Sequence, residues 1–427
     1  MSVKERVRLE AFARVRSGQG TVVRAARACA LSVRQARRVW KRYCDEGDAG
    51  LVHAARGKAP CNRLSQATRE RIVARHQERY ADFGPTHACE KLATDGLAVG
   101  PDTLGKLLKA RGLWTPRRRR GKHRTRRERR SCFGALIQMD GSPHDWFEGR
   151  AGPCCLMVAV DDATGKTLAR FHRQETTHAS FDLAARWIAR HGVPRAFYVD
   201  RAGIYRSDRE PAPNEVLAGQ KPQTQFGRAM SELGVELILA NSPQAKGRVE
   251  RKNGTLQDRL VKEMRLAGVS SMEAGNAFLD AGFLADHNRR YAVAPQDHAD
   301  EHRAVKSLGP GVCLEEILCE REDRVVGQDW CVRWENRFLQ ISKEHEPMNL
   351  AGKWVSVASR LDGTLVLRNG GVQLNWTMLL QRPSAPRPRA RKPVANNKKW
   401  TPPATHPWQL PFKKQLPKGD TSASAKG

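Results

Sequence analysis

Three acidic residues, Asp140, Asp200 and Glu250, have the local settings that metal-assisted phosphoryl transfer requires. Asp140 ends the strand-like run 135–140, Asp200 ends the strand-like run 195–200, and Glu250 lies early in a helical stretch. Two metal ions about 4 Å apart can activate an attacking oxygen and stabilise a leaving oxygen at phosphorus. Hard cations such as Mg²⁺ prefer carboxylate oxygens, so three well-placed carboxylates can hold such a pair. The trio is therefore predicted to bind two divalent ions, Mg²⁺ or Mn²⁺, and to be catalytic.

Other carboxylates compete with this trio for the metal. Asp145 follows Asp140 past a proline and is expected to be a loop carboxylate. Asp161 and Asp162 open the sequence DDATG, where hydrogen bonds from side chain to backbone favour a turn. Asp208 is not at a predicted strand end. The alternative that stays open is that all three acids of the trio occupy structural or solvated positions.

A mixed set of helices and strands must position these acids. Three strand-like runs precede the first helical run after residue 133. This order predicts a mixed sheet with an antiparallel meander rather than a fully alternating parallel fold. The predicted strands are 135–140, 154–160, 167–173, 195–200 and 235–240, and the predicted helices are 178–191, 225–234 and 246–265.

The first 60 residues carry a helix-turn-helix pattern. A short apolar helix around 22–29 is followed by a turn at Leu31, and Ser32 can cap a second helix. That second helix presents basic and amide side chains, which major-groove reading and phosphate anchoring require. The alternative is a small helical bundle with a solvated basic face. The predicted DNA contacts are Arg34, Gln35, Arg37, Arg38 and Lys41.

A second helical unit with similar spacing follows, with helix starts at Ser65, at Gly84-Pro85 and after Gly100. Two tandem units could read a longer DNA site than one. The next segment, 117–130, is almost entirely basic. Alone, such a run is a solvated, flexible segment, but here we expect it to contact phosphates with strong salt dependence. Its predicted contacts are Arg117, Arg118, Arg119 and Arg120.

The bulk composition agrees with a nucleic-acid partner. The chain has 75 Lys+Arg against 45 Asp+Glu, a formal charge of +30 and a pI near 10.3, so it attracts polyanions. No run approaches the roughly 18 apolar residues of a membrane span, and the first residues lack the apolar segment of a signal peptide. The protein is therefore expected in the cytoplasm. Its 10 cysteines contain no CxxC pair, which favours scattered reduced thiols over a zinc site.

The chain is predicted to be multidomain α+β. Alternating apolar residues from 322 to 379 predict a small β-barrel or sandwich, and the Pro-, Lys- and Arg-rich tail is expected to be disordered alone. The predicted segments are a helix-turn-helix domain (1–60), a second helix-turn-helix domain (61–115), a basic linker (116–131), an α/β core (132–268), a helical extension (269–321), a small β domain (322–381) and a basic tail (382–427).

The core resembles the DDE transposases of bacterial insertion sequences, within the retroviral-integrase superfamily. Three blocks carry the resemblance, namely 138–144 (QMDGSPH), 197–201 (FYVDR) and 240–251 (ANSPQAKGRVER). The third is the most specific, because Ser-Pro-x-x-Lys-Gly-x-x-Glu rarely occurs by chance behind two strand-ending aspartates. The paired helix-turn-helix units before the core and the small β domain after it fit the family in order and size.

The resemblance implies an RNase H-like core in which the first and fourth strands are adjacent and bring Asp140 beside Asp200. It implies a transposase that binds the terminal inverted repeats of its element and cleaves DNA with divalent metal. The freed 3′-OH then joins target DNA. The implied partners are the double-stranded DNA of element ends and target, and further copies of the chain, in the bacterial nucleoid.

Basic residues around Glu250 are expected to steady DNA phosphates, since Arg and Lys bind phosphate and a helix N-terminus favours anions. Asn253 and Gln257 would continue one face of this helix towards the DNA. A solvated basic helix face is the alternative. The predicted phosphate contacts are Lys246, Arg248, Arg251 and Lys252.

Two other functions remain as alternatives. One is a catalytically inactive or domesticated DNA-binding regulator, which the intact acidic trio argues against. The other is a structure-specific nuclease without a joining step, which two helix-turn-helix units argue against because they imply binding at particular sequences.

Overall fold

A computed structural model describes most of the chain, in two compact units, Met1–Thr125 and Arg126–Gly427. None of the helices in the described part is long and apolar enough to cross a membrane. The boundaries of the seven predicted segments stay predictions. The described residues are 2–53, 56–57, 63–116, 128–211, 216–217, 219, 222–240, 247–309, 313–381 and 401–406, so most of the predicted basic linker and of the predicted disordered tail lies outside them.

The first unit begins with three helices, α1 (Val3–Arg16), α2 (Val22–Ala28) and α3 (Val33–Glu46). As predicted, Ser32 caps α3, because its hydroxyl accepts a hydrogen bond from the Gln35 amide and Gln35 bonds back to the Ser32 amide. α1 is an addition to the predicted pair, and its Phe12 is fully buried. The core of this part consists of Phe12, Ala25, Ala26, Ala36, Val39, Tyr43 and Leu51.

Three further helices follow in the same unit, α4 (Gln66–Arg79), α5 (Pro85–Thr94) and α6 (Pro101–Ala110). Their starts agree with the predicted ones. Ser65 caps α4 through its hydroxyl, and α5 and α6 each begin with a proline, whose fixed φ suits the first helical position.

The second unit is built around a five-stranded sheet in the order β3-β2-β1-β4-β5. β1, β2 and β3 form an antiparallel meander, whereas β4 and β5 run parallel to β1. This is the predicted RNase H-like arrangement, with the first and fourth strands adjacent. The elements are β1 (Ile137–His144), β2 (Cys154–Asp161), β3 (Thr167–His172), α7 (Thr177–His191), β4 (Ala196–Val199), α8 (Gln225–Glu232), β5 (Glu236–Leu239) and α9 (Gly247–Leu266).

The sequence predicted that β1 would end at Asp140, and this prediction was wrong, because β1 continues to His144. The reason is its neighbour, because β2 keeps pairing with β1 until His144 faces Cys154. Pro143 is tolerated in this extension since the parallel pairing with β4 is limited to Ile137 and Gln138, which leaves the far part of β1 with one partner strand.

Aromatic side chains fill the space between the sheet and its helices. Trp146, Trp187, Phe181, Phe197 and Phe226 are all fully buried in one core cluster. Burying such a ring removes about 150–250 Å² from water. Each Å² of apolar surface buried stabilises the fold by about 25 cal/mol. This core holds the ends of β1 and β4 in place.

After α9 the chain forms a helical segment and then a β-rich segment. The helical segment contains α10 (Met272–Phe278), a π-helical stretch (Leu279–Phe283), α11 (Leu284–Tyr291) and the short α12 (Leu314–Ile317). Seven strands then lie in two sheets around a shared apolar core, so a closed barrel stays a prediction. They are β6 (Glu320–Val325), β7 (Cys331–Trp334), β8 (Arg337–Ile341), β9 (Trp354–Ser359), β10 (Leu365–Asn369), β11 (Val372–Leu374) and β12 (Trp376–Leu379).

Candidate active site

Asp140 lies within β1, just beyond the part that pairs with β4, and Asp200 directly follows β4 at the matching height. Gln138 of β1 pairs with Tyr198 of β4 in parallel register, and each aspartate lies two residues further along its own strand direction (140 − 138 = 200 − 198). The carboxyl ends of adjacent parallel strands meet at one edge of a sheet, where open α/β sheets bind ligands. The predicted pairing of the two acids is therefore built into the sheet.

Asp140 is half-buried and its carboxylate is held from α9. The side-chain amide of Asn253 donates a hydrogen bond to Asp140 Oδ2 at 2.9 Å. Asn253 is 7% exposed, and its Oδ1 has no hydrogen-bond partner within the described residues. Because a carboxylate only accepts hydrogen bonds, the amide must present its nitrogen to Asp140. Gln257 also bonds to β1, to Ser142 at 3.1 Å, and the expected contacts of Asn253 and Gln257 with DNA stay predictions.

Asp200 is fixed by its own loop. Its Oδ1 accepts a hydrogen bond from the Ala202 amide at 2.9 Å, a local turn in which aspartate is favoured. This bond orients the Asp200 carboxylate directly after the end of β4.

Glu250 is exposed in the first turn of α9, one turn before Asn253. That first turn lies against β1, because the Val249 amide donates to Gln138 Oε1 at 3.2 Å. Within the described ranges, no three His, Cys, Asp or Glu side chains are close enough to form a ready metal site. The structure therefore brings Asp140 and Asp200 together and places Glu250 on the adjoining helix without joining it to them. Residues 241–246, half of the third motif (240–251), lie outside the described residues.

Glu175 is a further carboxylate near this edge that sequence reasoning missed. It lies in the loop after β3, and its carboxylate packs against Gly141 so closely that a Cβ on Gly141 would collide with it. A glycine inside a strand often marks such a close approach, and that was the available signal. Nothing in the spacing of Glu175 itself indicates the contact.

A buried tyrosine reports the shared surroundings of these acids. Burial raises the pKa of Tyr205 above its ordinary range, while a hydrogen bond with Ser180 opposes the shift. The negative charges of Glu175, Asp200 and Asp140 raise the pKa of Tyr205 further. All three carboxylates thus lie within electrostatic range of the Tyr205 hydroxyl.

The competing acids have other roles in the structure. Asp145 accepts a hydrogen bond from the Gly149 amide in a loop, as expected. Asp208 is exposed and pairs with Arg206 at 2.7 Å. Asp161 is buried, and desolvation raises the pKa of its carboxyl although the Thr164 amide and hydroxyl donate to it.

The predicted DNA contacts on α3 all lie on its exposed face, opposite the buried Ala36, Val39 and Tyr43. A basic, solvent-facing helix surface is what a groove-reading helix needs. Contact with DNA stays a prediction for each of these side chains. The others predicted at Arg117, Arg118, Arg119, Arg120 and Lys246 lie outside the described residues.

Some basic side chains of α9 face solvent, and others contact the rest of the protein. Arg251 is exposed, but the Arg248 guanidinium donates to the buried Asp162 carboxylate at 2.7 Å. Lys252 lies 3.2 Å from His287 Nε2, and burial lowers the pKa of its ammonium to about 8. Arg248 and Lys252 are thus engaged within the protein, so their predicted phosphate contacts would require them to exchange partners.

Comparison with known proteins gives a consistent picture. Residues 8–70 match the winged helix-turn-helix family. The chain is 41% identical to the putative transposase y4bF of Sinorhizobium fredii, over 88% of this chain and 81% of that protein. It is 28% identical to the transposase for insertion sequence IS1202 of Streptococcus pneumoniae, over 94% and 92% of the two chains.

Solved structures with some similarity are viral integrases. A chain of the simian T-cell lymphotropic virus intasome has a TM-score of 0.32 and 14% identity, covering 72% of this chain and 99% of that one. The HTLV-2 integrase catalytic core solved with magnesium has a TM-score of 0.26 and 17% identity, covering 35% and 86%. These TM-scores are below the level that establishes a shared fold.

Proposed function

This chain belongs to the transposases of bacterial insertion sequences, and we propose from this that Asp140, Asp200 and Glu250 form a DDE-type site for DNA cleavage and strand transfer. The observation that supports the proposal is the parallel pairing of β1 and β4, which puts two of the acids at one sheet edge. α9, which carries the third acid, is bonded to the same strand through Asn253.

The residues at this edge suit hard divalent cations, Mg²⁺ or Mn²⁺. Carboxylate oxygens are the ligands that such cations prefer, and the Asn253 bond orients the Asp140 carboxylate at this edge. When bound, the ions supply an activated attacking oxygen and stabilise the leaving oxygen in an in-line displacement. Asp140, Asp200 and Glu250 would hold them.

The protein groups act by positioning and by charge. Asn253 orients the Asp140 carboxylate, and the Ala202 amide orients that of Asp200. The exposed Glu250 and Arg251 lie at the start of a helix, where the N-terminal dipole attracts DNA phosphate. Such preorganised groups need little rearrangement as charge develops at phosphorus.

The proposed substrate is the pair of terminal inverted repeats of the element, read by the N-terminal unit. Hydrolysis at each end would expose a 3′-OH, which then attacks target DNA. Two ends must be processed together, so we infer a homo-oligomer on DNA, acting in the bacterial nucleoid.

Asp200→Asn tests the assignment, with Asp208→Asn as the matched control, because Asp208 is an exposed carboxylate in the loop after β4. We expect Asp200→Asn to bind element ends normally and to lose cleavage and joining, while Asp208→Asn keeps both. Joining by Asp200→Asn at the rate of the unmodified protein would refute the assignment. End binding without joining by the unmodified protein would instead favour the inactive regulator.

A further inference from the structure

We propose that Asp162 is a positioning residue that clamps the start of α9, and with it Glu250, onto the strand that carries Asp140. The proposal deepens the proposed function and rests on it. Asp162 lies in the turn between β2 and β3, and its side chain is fully buried at 0% exposure. Its two carboxylate oxygens bond to three separate segments of the chain.

Each oxygen of Asp162 accepts hydrogen bonds from distant parts of the chain. Oδ2 accepts from the backbone amide of Arg130 at 2.8 Å. Oδ1 accepts from Gln138 Nε2 and from Arg248 Nη1, both at 2.7 Å. The turn does not need these bonds, because the adjacent Asp161 supplies the carboxylate that bonds to Thr164. The Asp162 carboxylate therefore links separate segments of the chain that lie outside the turn.

The partners of Asp162 adjoin the proposed site. Gln138 lies two residues before Asp140, and Arg248 lies two residues before Glu250. Gln138 completes the clamp, because its Oε1 accepts the Val249 amide at 3.2 Å while its Nε2 donates to Asp162. The first turn of α9 is therefore linked to β1 in two ways. Arg248 and Gln138 donate to the same Asp162 oxygen, and the Val249 amide donates to the Gln138 side chain that Asp162 holds.

The clamp also reaches the end of the basic segment. Arg130 closes the run 117–130, and Arg129 donates to the Ala163 carbonyl at 2.9 Å beside it. Charge-assisted bonds of this length are about twice as strong as neutral ones, and a buried charge that loses one partner is costly. The place where the basic segment enters the core is therefore bonded to the same carboxylate as the helix of Glu250.

The test uses the full-length chain with Asp162→Asn and, as the matched control, Asp161→Asn, the neighbouring buried acid that serves the turn. Four quantities are measured, namely element-end binding, cleavage rate against Mg²⁺ concentration, melting temperature and hydrogen exchange of the peptide 247–253. Positioning groups around metal ligands typically change metal affinity or activity by roughly 10- to 100-fold when removed.

We expect Asp162→Asn to need at least tenfold more Mg²⁺ for half-maximal cleavage and to exchange faster over 247–253, with end binding unchanged. Asp161→Asn should lower the melting temperature without either effect. Wild-type Mg²⁺ dependence and exchange in Asp162→Asn would overturn the proposal. If Asp162→Asn does not fold, Arg248→Gln, which keeps two of the three bonds to Asp162, carries the same expectation for Mg²⁺ dependence and for exchange over 247–253, and the same refutation.

A Glu250→Gln variant distinguishes failure of the proposed acidic trio from failure of the proposed role of Asp162. If it cleaves like the unmodified protein, the proposed acidic trio fails, and the exchange of 247–253 in Asp162→Asn still decides whether the clamp exists. If it is inactive, the Mg²⁺ dependence decides whether the clamp positions Glu250.

Discussion

Replacing Asn253 by Asp would turn the amide donor to Asp140 Oδ2 into a second carboxylate. The lost hydrogen bond to a charged group contributes about 1.5–3 kcal/mol. Two charges at 4 Å repel by about 4 kcal/mol at an effective dielectric constant of 20, and the partial exposure of Asp140 reduces this to about 2 kcal/mol. The sum, about 4 kcal/mol, corresponds to a roughly 1,000-fold slower reaction.

The pH dependence distinguishes this mechanism from a general loss of structure. Two facing carboxylates relieve their repulsion by sharing a proton, and the protonated carboxyl again donates to Asp140, so Asn253→Asp should cleave poorly at neutral pH and recover, relative to the unmodified protein, as the pH falls. Asn253→Leu loses only the donor, and we expect a roughly 30-fold slower reaction, about 2 kcal/mol, without that recovery.

The assay is single-turnover cleavage of an element end between about pH 5 and 8, with each rate taken relative to that of the unmodified protein. Gln257→Glu is the matched control, because it adds the same charge one turn along α9, where the partner is the Ser142 hydroxyl. The reasoning is refuted if Asn253→Asp reacts at the wild-type rate at neutral pH, or if its pH profile has the shape of that of Asn253→Leu.

Two further predictions concern stability. His287 is buried, and desolvation, with the nearby Lys252 charge, lowers its pKa from 6.5 to about 3. Below pH 6.5 the unfolded chain binds a proton that the folded chain does not, so stability falls with decreasing pH by about 1.4 kcal/mol per unit. Urea unfolding at pH 7 and pH 5 measures the loss of stability between the two values. This loss should be smaller in His287→Gln than in the unmodified protein, and unchanged in His298→Gln, whose histidine is exposed. An equal loss of stability in all three proteins would contradict the prediction. Gly50→Ala would place a Cβ against the Arg42 carbonyl, so the N-terminal unit should melt earlier and lose end binding, and an unchanged melting profile would refute that packing.

Local signals were sufficient for much of the fold. The Ser32 cap, the proline starts of α5 and α6 and the alternation of strand and helix depend on residues close together in sequence. The order of three strands before the first helix then led to the mixed sheet. The adjacency of Asp140 and Asp200, by contrast, came from family resemblance, and the observed pairing of β1 with β4 agrees with it.

Contacts between distant residues escaped prediction. Asp162 and Arg248 are 86 positions apart, and the turn-forming tendency of Asp162 concealed its bond to Arg248. The end of β1 was misjudged because the length of a strand depends on its partner, here β2, more than on its own residues. Asn253 looked like one of several polar residues on a basic helix, and only packing against β1 shows that it faces inward.

The sequence separation of the three acidic residues sets the order in which the parts of the proposed site are synthesised. The meander β1-β2-β3 is local in sequence, whereas Asp200 follows Asp140 by 60 residues and Glu250 follows it by 110 (200 − 140 and 250 − 140). At about 5–20 residues per second, the 50 residues between Asp200 and Glu250 take roughly 3–10 s to synthesise. We expect the N-terminal unit to fold first, so that the nascent chain can hold DNA while it still lacks the means to cut it.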